Sequence, residues 1–98
     1  MGQVRWTEEA ARWLREIHDY IAEDDPDAAQ RVAREIYNRA ESLSSFPERG
    51  YRYLDLPERD VRILLWGHHR IAYLVRSSGD VDILGIFHGA LDIEHYLR

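Results

Sequence analysis

The chain has 98 residues, 45% of them hydrophobic, a formal charge of −5 and no cysteine. That is enough for one small domain with a core of its own, residues 1–98. The missing cysteines exclude disulfides, thiolate catalysis and cysteine-based zinc sites. The acidic balance speaks against a protein whose main task is gripping nucleic-acid phosphates.

The charge is unevenly spread. Residues 1–48 carry six Arg against eleven acids, whereas residues 49–98 carry seven Arg against seven acids and four of the five His. All 13 basic residues are Arg. Arg suits planar, bidentate pairing with carboxylate or phosphate, although uniform Arg use also follows from genomic base composition. The apolar runs are too short to span a membrane. No secretory signal opens the chain, so a cytoplasmic location is expected.

Gln3 to Trp6 reads as a short extended lead-in. Thr7 is a natural N-cap, with Glu8 and Glu9 favourable in the first helical turn. Apolar residues at Ala10, Trp13, Leu14, Ile17, Tyr20 and Ile21 then mark one stripe of an amphipathic helix. Glu23-Asp24-Asp25 ends it, and Asp25 and Pro26 suit the cap and first position of a second helix. There Ala29, Val32, Ala33, Ile36, Ala40 and Leu43 repeat the helical spacing until Phe46-Pro47 and the Glu48-Arg49-Gly50 turn. Two helices joined so tightly predict an antiparallel hairpin.

From Tyr51 the period changes. Tyr51 to Leu54 is a weak strand and Leu56 to Asp60 a loop. Val61–Trp66 and Arg70–Arg76 are stronger strands separated by Gly67-His68-His69. Ser77 to Asp80 is a turn before a strand at Val81–Phe87. His88-Gly89 then breaks the run ahead of a short amphipathic tail, Leu91 to Arg98. The expected fold is α+β. A short N-terminal strand and an antiparallel helical hairpin pack on a curved antiparallel sheet, followed by a short C-terminal helix or tail.

Few residues offer chemistry. His68-His69 resembles a metal pair, but neighbours on a strand or turn diverge. No metal or other cofactor is expected. Arg62 and Arg70 sit on adjacent strands and could share a face as an anion site. Otherwise they pair with Asp55, Asp60, Asp82 or Asp92. His88 is the best acid–base candidate because imidazole titrates near neutrality, although a His that only caps a turn fits as well. Tyr96 could assist it or pack the tail, and Asp92 could cap a terminal helix or pair with an Arg. Trp6, Trp13, Trp66, Tyr20, Tyr37 and Tyr73 mostly suit a core. The first helix is nevertheless acidic as well as aromatic, which fits a partner segment carrying Arg or Lys and apolar anchors.

Several motifs together resemble one family along essentially the whole chain. They are Val61-Arg62, Arg70-Ile71-Ala72-Tyr73, Ile83-Leu84-Gly85-Ile86 and the His88-Gly89 junction, placed after a strand and a helical hairpin. This pattern resembles the RelE/ParE toxins of bacterial type II toxin–antitoxin modules. In that family RelE-like members are ribosome-dependent mRNA endonucleases using basic residues and a C-terminal Tyr, whereas ParE-like members inhibit DNA gyrase and cut no RNA. A nuclease reading would engage Arg62, Arg70, His88 and Tyr96. However, Leu91 stands where that branch often has Arg, Lys is absent and the charge is acidic.

The ending His88 to Leu97 looks more like the ParE, or plasmid-stabilisation, branch. The resemblance therefore implies a gyrase inhibitor, not an enzyme, neutralised by a ParD-like antitoxin in a hetero-oligomer such as a heterotetramer. It implies no specific DNA binding by the chain alone and no membrane partner. Target contacts are expected at Arg62, Arg70, His88, Leu91, Asp92 and Tyr96, and antitoxin contacts at Trp13, Ile17, Tyr20 and Trp66. The rival readings are a RelE-like endoribonuclease and a non-toxic module that only docks an antitoxin.

Overall fold

The computed structural model describes residues 2–54 and 58–88. Strand β1 (Val4–Trp6) leads into helix α1 (Glu8–Ala22) and helix α2 (Pro26–Glu41), and a 3-10 turn at Ser42–Ser44 extends α2. Four strands follow: β2 (Tyr51–Arg52), β3 (Val61–Trp66), β4 (His69–Val75) and β5 (Val81–Phe87). The caps are those the sequence predicts. The Thr7 hydroxyl accepts the Ala10 N–H and the Asp25 carboxylate accepts the Ala28 N–H, with Pro26 opening α2. The predicted C-terminal tail lies outside the described residues.

The strands form one sheet in the order β1-β5-β4-β3-β2. The predicted antiparallel meander of β3, β4 and β5 is present. The lead-in adds a parallel rim, Val4 beside Val81 and Trp6 beside Ile83, so the sheet as a whole is mixed. Between β3 and β4 the turn is two residues, with Gly67 at φ +57° and Trp66 paired with His69. A positive φ at the first central position matches the twist of the flanking strands, and Gly supplies it without strain. The register of β4 on β5 slips between Ala72 and Tyr73, leaving Leu84 as an extra residue in a bulge.

Helices cover one face of the sheet. Ala10, Ile36, Ala40 and Leu43 pack there with Leu64, Ile71, Tyr73, Val81, Ile83 and Ile86. A smaller cluster, Ile63, Ala72 and Phe87, groups with Tyr53 and Leu84. Trp13 joins both clusters, its ring 5.2 Å from that of Phe87.

Two contacts tie the layers together. Tyr73 is fully buried, and its hydroxyl accepts the Gly50 N–H and donates to the Pro47 carbonyl, both at 2.8 Å. Burial pushes the Tyr73 phenol above its ordinary pKa, so it stays protonated and able to donate. Gly50 is required by this closeness, since a Cβ there would stand 2.7 Å from both the Ile63 carbonyl oxygen and the Tyr73 hydroxyl. At the other end, the Thr7 hydroxyl donates to the Ile83 carbonyl at 2.8 Å while capping α1.

Tyr73→Phe should destabilise the fold by about 1–3 kcal/mol, because it leaves a buried N–H and C=O unpaired. A urea unfolding midpoint equal to that of the parent chain would show that the clamp carries no weight. Thr7→Ala should cost about 1 kcal/mol, and Thr7→Ser, which keeps the hydroxyl, a few tenths at most. Equal losses for Ala and Ser in the same unfolding measurement would refute the role given to the hydroxyl.

Candidate functional site

Helix α1 is amphipathic, yet along it only Ala10 is fully buried. Trp13, Leu14, Ile17 and Ile21 are half-buried, and Tyr20 is 76% exposed. The outer part of this stripe lines a groove of about 510 Å³, formed by Trp13, Glu16, Ile17, Tyr20, Ile21, His69 and His88. The groove is largely apolar along the helix and polar at the imidazole end.

The two-residue turn explains the polar end. His68 sits in the turn and His69 begins β4 opposite Trp66, so both rings come to the end of the sheet where β5 runs into His88. The His68 and His88 rings are 5.9 Å apart, and those of His69 and His88 are 5.8 Å apart. Trp66 stacks on His69 at 6.0 Å with an interplanar angle of 24°. The two neighbouring His side chains, expected to diverge, thus both approach a third. Even so, no group of three His, Cys, Asp or Glu among the described residues is placed to hold a metal ion.

His69 titrates below its ordinary value of 6.5, first because burial disfavours the charged ring, then because His88 and His68 would repel it. Among the described residues its buried Nδ1 has no hydrogen-bond partner, nor has the Nε1 of Trp13 across the groove. At neutral pH the His69 ring is therefore uncharged.

Three of the residues expected to meet a partner, Trp13, Ile17 and Tyr20, line this groove, and the fourth, Trp66, backs His69. His88 lines it as well. Ile21, Glu16 and His69 complete the lining. Ile21 was legible as the next step of the α1 stripe, but nothing in the sequence joined Glu16 or His69 to it.

Arg62 and Arg70 do not share a face, which corrects the expected joint anion site. Arg62 pairs with Tyr73 and Arg70 with Leu65, two registers of opposite side-chain direction. Arg62 is also engaged. Its Nε donates to Asp60 at 2.9 Å, and its Nη1 donates to the carbonyls of Gly50 at 3.1 Å and Glu48 at 3.4 Å. This is the structural pairing weighed against the anion site. Arg70 reaches the Tyr51 hydroxyl at 3.1 Å. The remaining candidates, Leu91, Asp92 and Tyr96, lie outside the described residues.

A family model for ParE toxins of type II toxin–antitoxin systems (parDE) matches residues 4–93 of this chain. Y4kP of Sinorhizobium fredii, provisionally named a toxin, is 36% identical over 88 residues, which span 88% of this chain and 86% of that protein. Toxin RelE2 of Caulobacter vibrioides is 48% identical over 50 residues, 51% of this chain and 57% of that one. The fold matches a chain of the chromosomal ParDE toxin–antitoxin system from P. aeruginosa with a TM-score of 0.73. That match has 22% identity and covers 92% of this chain and 98% of the other, a likeness of fold.

The depressed His69 titration has a definite sign. The folded chain binds its proton less readily than the unfolded chain, so this contribution to stability is whole above pH 6.5 and declines as pH falls below it. His69→Gln should flatten that part of the stability–pH curve, measured by urea unfolding at a series of pH values. An unchanged slope in the variant would remove His69 as its source.

Proposed function

The chain belongs to the ParE toxin family of type II toxin–antitoxin systems, and from that premise we propose that it arrests growth by binding DNA gyrase until a ParD-like antitoxin covers it. The observation favouring inhibition over RNA cleavage is the separation of Arg62 from Arg70. A nuclease must gather cations around a phosphate to offset its charge. Here Arg62 is spent on Asp60 and the 48–50 loop, while Arg70 leaves the sheet on the other side. The net charge of −5 adds repulsion toward RNA.

Arg70 and His88, with Leu91, Asp92 and Tyr96, are the target contacts of this proposal, and Arg62 serves the fold by holding Asp60 and the 48–50 loop. The antitoxin uses the groove of Trp13, Ile17 and Tyr20, backed by Trp66. Because His88 belongs to both surfaces, a segment seated in the groove covers part of the target surface. Neutralisation then needs no change in the toxin's shape. An antitoxin tail that folds as it binds can cover a large area of so small a domain.

Expression of the chain alone should stop bacterial growth, and co-expression with the antitoxin encoded beside it should restore growth. Purified chain at micromolar concentration should block gyrase supercoiling. Arg70→Ala should raise the inhibitory concentration about tenfold, the worth of one good contact, with little loss of stability. Arg62→Ala should instead destabilise the fold by about 1.5–3 kcal/mol, as loss of charged hydrogen bonds does. Undisturbed supercoiling alongside codon-specific mRNA cleavage that His88→Ala abolishes would establish the endoribonuclease reading instead. Normal growth of cells expressing the lone chain would leave only antitoxin docking.

A further inference from the structure

Among the described residues, no carboxylate is paired with the three histidines at the imidazole end of the groove. The titratable groups facing it, among the described residues, are His68 from the β3–β4 turn, His69 from β4, His88 beyond β5, and Glu16 and Tyr20 from α1. Glu16 is the one carboxylate among the described groove-lining residues, and it lies 3.9 Å from Arg12. Among the described residues, the charges bearing on His69 are those of His88 and His68, and both oppose its protonation. Protonating this end therefore sets like charges about one ring apart beside an apolar surface. Covering such charges with apolar side chains is costly, whereas covering neutral rings is not.

The outer face of α1 indicates what covers it. Glu16, which lines the groove, is 62% exposed, and Asp19, three residues on and 3.1 Å from His18 Nδ1, is 79% exposed. Together with the acidic N-terminal half, they favour a segment carrying Arg or Lys. The same cations would be repelled by imidazolium rings at the other end.

Resting on the toxin–antitoxin reading above, we propose that the groove seats an amphipathic antitoxin segment and that the histidine end releases it in acid. In this arrangement apolar anchors lie on Trp13, Ile17 and Ile21, and Arg or Lys faces Glu16 and Asp19. Neutral imidazoles are covered, and protonated ones expel the segment. The linkage has one sign. The complex holds the rings neutral, so binding requires proton loss from any ring already charged. Affinity is then constant at high pH and falls as pH drops through the titration of the free chain, by up to tenfold per pH unit for each ring that must be neutral.

The test uses the full chain and the antitoxin expressed from the neighbouring reading frame, with Kd measured by calorimetry between about pH 7.5 and about pH 5.5, the range over which imidazole titrates. The parent pair should weaken at least about tenfold, equivalent to one pKa unit at one ring. A His68→Gln/His88→Gln chain should weaken less than about threefold over the same range, which removes most of that unit. The slope is the readout, whatever the variant's affinity at neutral pH. Constant or tighter binding of the parent pair in acid overturns the proposal, as does a full slope retained by the double variant. Circular dichroism of the free chain should not change over the range, and unfolding there would overturn acid release as the cause. Failure of the neighbouring protein to bind at neutral pH would instead defeat the toxin–antitoxin reading, a result separable from a flat slope.

Discussion

The placement of the groove depends on Thr7. Its hydroxyl accepts the Ala10 N–H, which starts α1, and donates to the Ile83 carbonyl, while its own N–H bonds to the same carbonyl at 3.2 Å. A cap satisfies a helix end that would otherwise leave donors orphaned. Here the same side chain also fixes where the helix stands along β5. The parallel pairing of β1 with β5, reinforced by the Val81 N–H donating to Gln3, holds that joint from the other side. Asp80 completes it by accepting the Gln3 N–H and an Arg5 guanidinium N–H, and the Gln3 hydrogen bond, above all, holds its carboxyl below the ordinary range. Chain segments more than 70 residues apart are thereby locked in register.

The sheet sorts its side chains by parity, and this decides which of the polar groups can act together. Tyr73, Arg62, Trp66 and His69 share one face, with Tyr73 and Arg62 committed to the loop after α2 and Trp66 and His69 to the groove. Arg70 falls on the opposite face beside Tyr51. One strand pair therefore holds a structural cation, a buried clamp and an imidazole site without mixing them. The separation follows from a period of two, so no rotamer change at Arg62 would bring it to Arg70.

Much of this was legible in the chain. The capping residues Thr7 and Asp25, Pro26, the helical stripes and the alternation in β3 to β5 rest on local rules, and the structure follows them. What local rules lack is pairing. Nothing near Val4 signals that it lies beside Val81, so the lead-in reads only as extended chain. Arg62 and Arg70 flank a turn and look like neighbours, but whether they share a face depends on a register set by the two-residue turn at Gly67. Likewise, divergent directions for His68 and His69 are a sound local expectation, and the third ring that both approach comes from a strand paired across β4. Glu16 was indistinguishable from any other exposed acid until the sheet end was placed against it.

The groove exists because α1 outruns the strand it packs on. Thr7 stands level with Ile83 and Trp13 meets Phe87, so β5 is matched by little more than the first half of the helix. A helix of 15 residues extends about 22 Å, and its remaining turns carry Ile17, Tyr20 and Ile21 past the end of β5 beside His88. Trp13, Leu14 and Ile17 still pack against the core, but Tyr20 and Ile21 continue the stripe beyond the cluster that Ala10, Ile36, Ala40 and Leu43 close against the sheet. Exposing Tyr20 and half-burying Ile21 costs solubility and contributes little stability. That expense is compensated when a partner binds only the folded chain, because the binding free energy then adds to the stability of the fold. The geometry of a helix that runs past the strand it packs on thus suits a protein that binds a partner along its free turns.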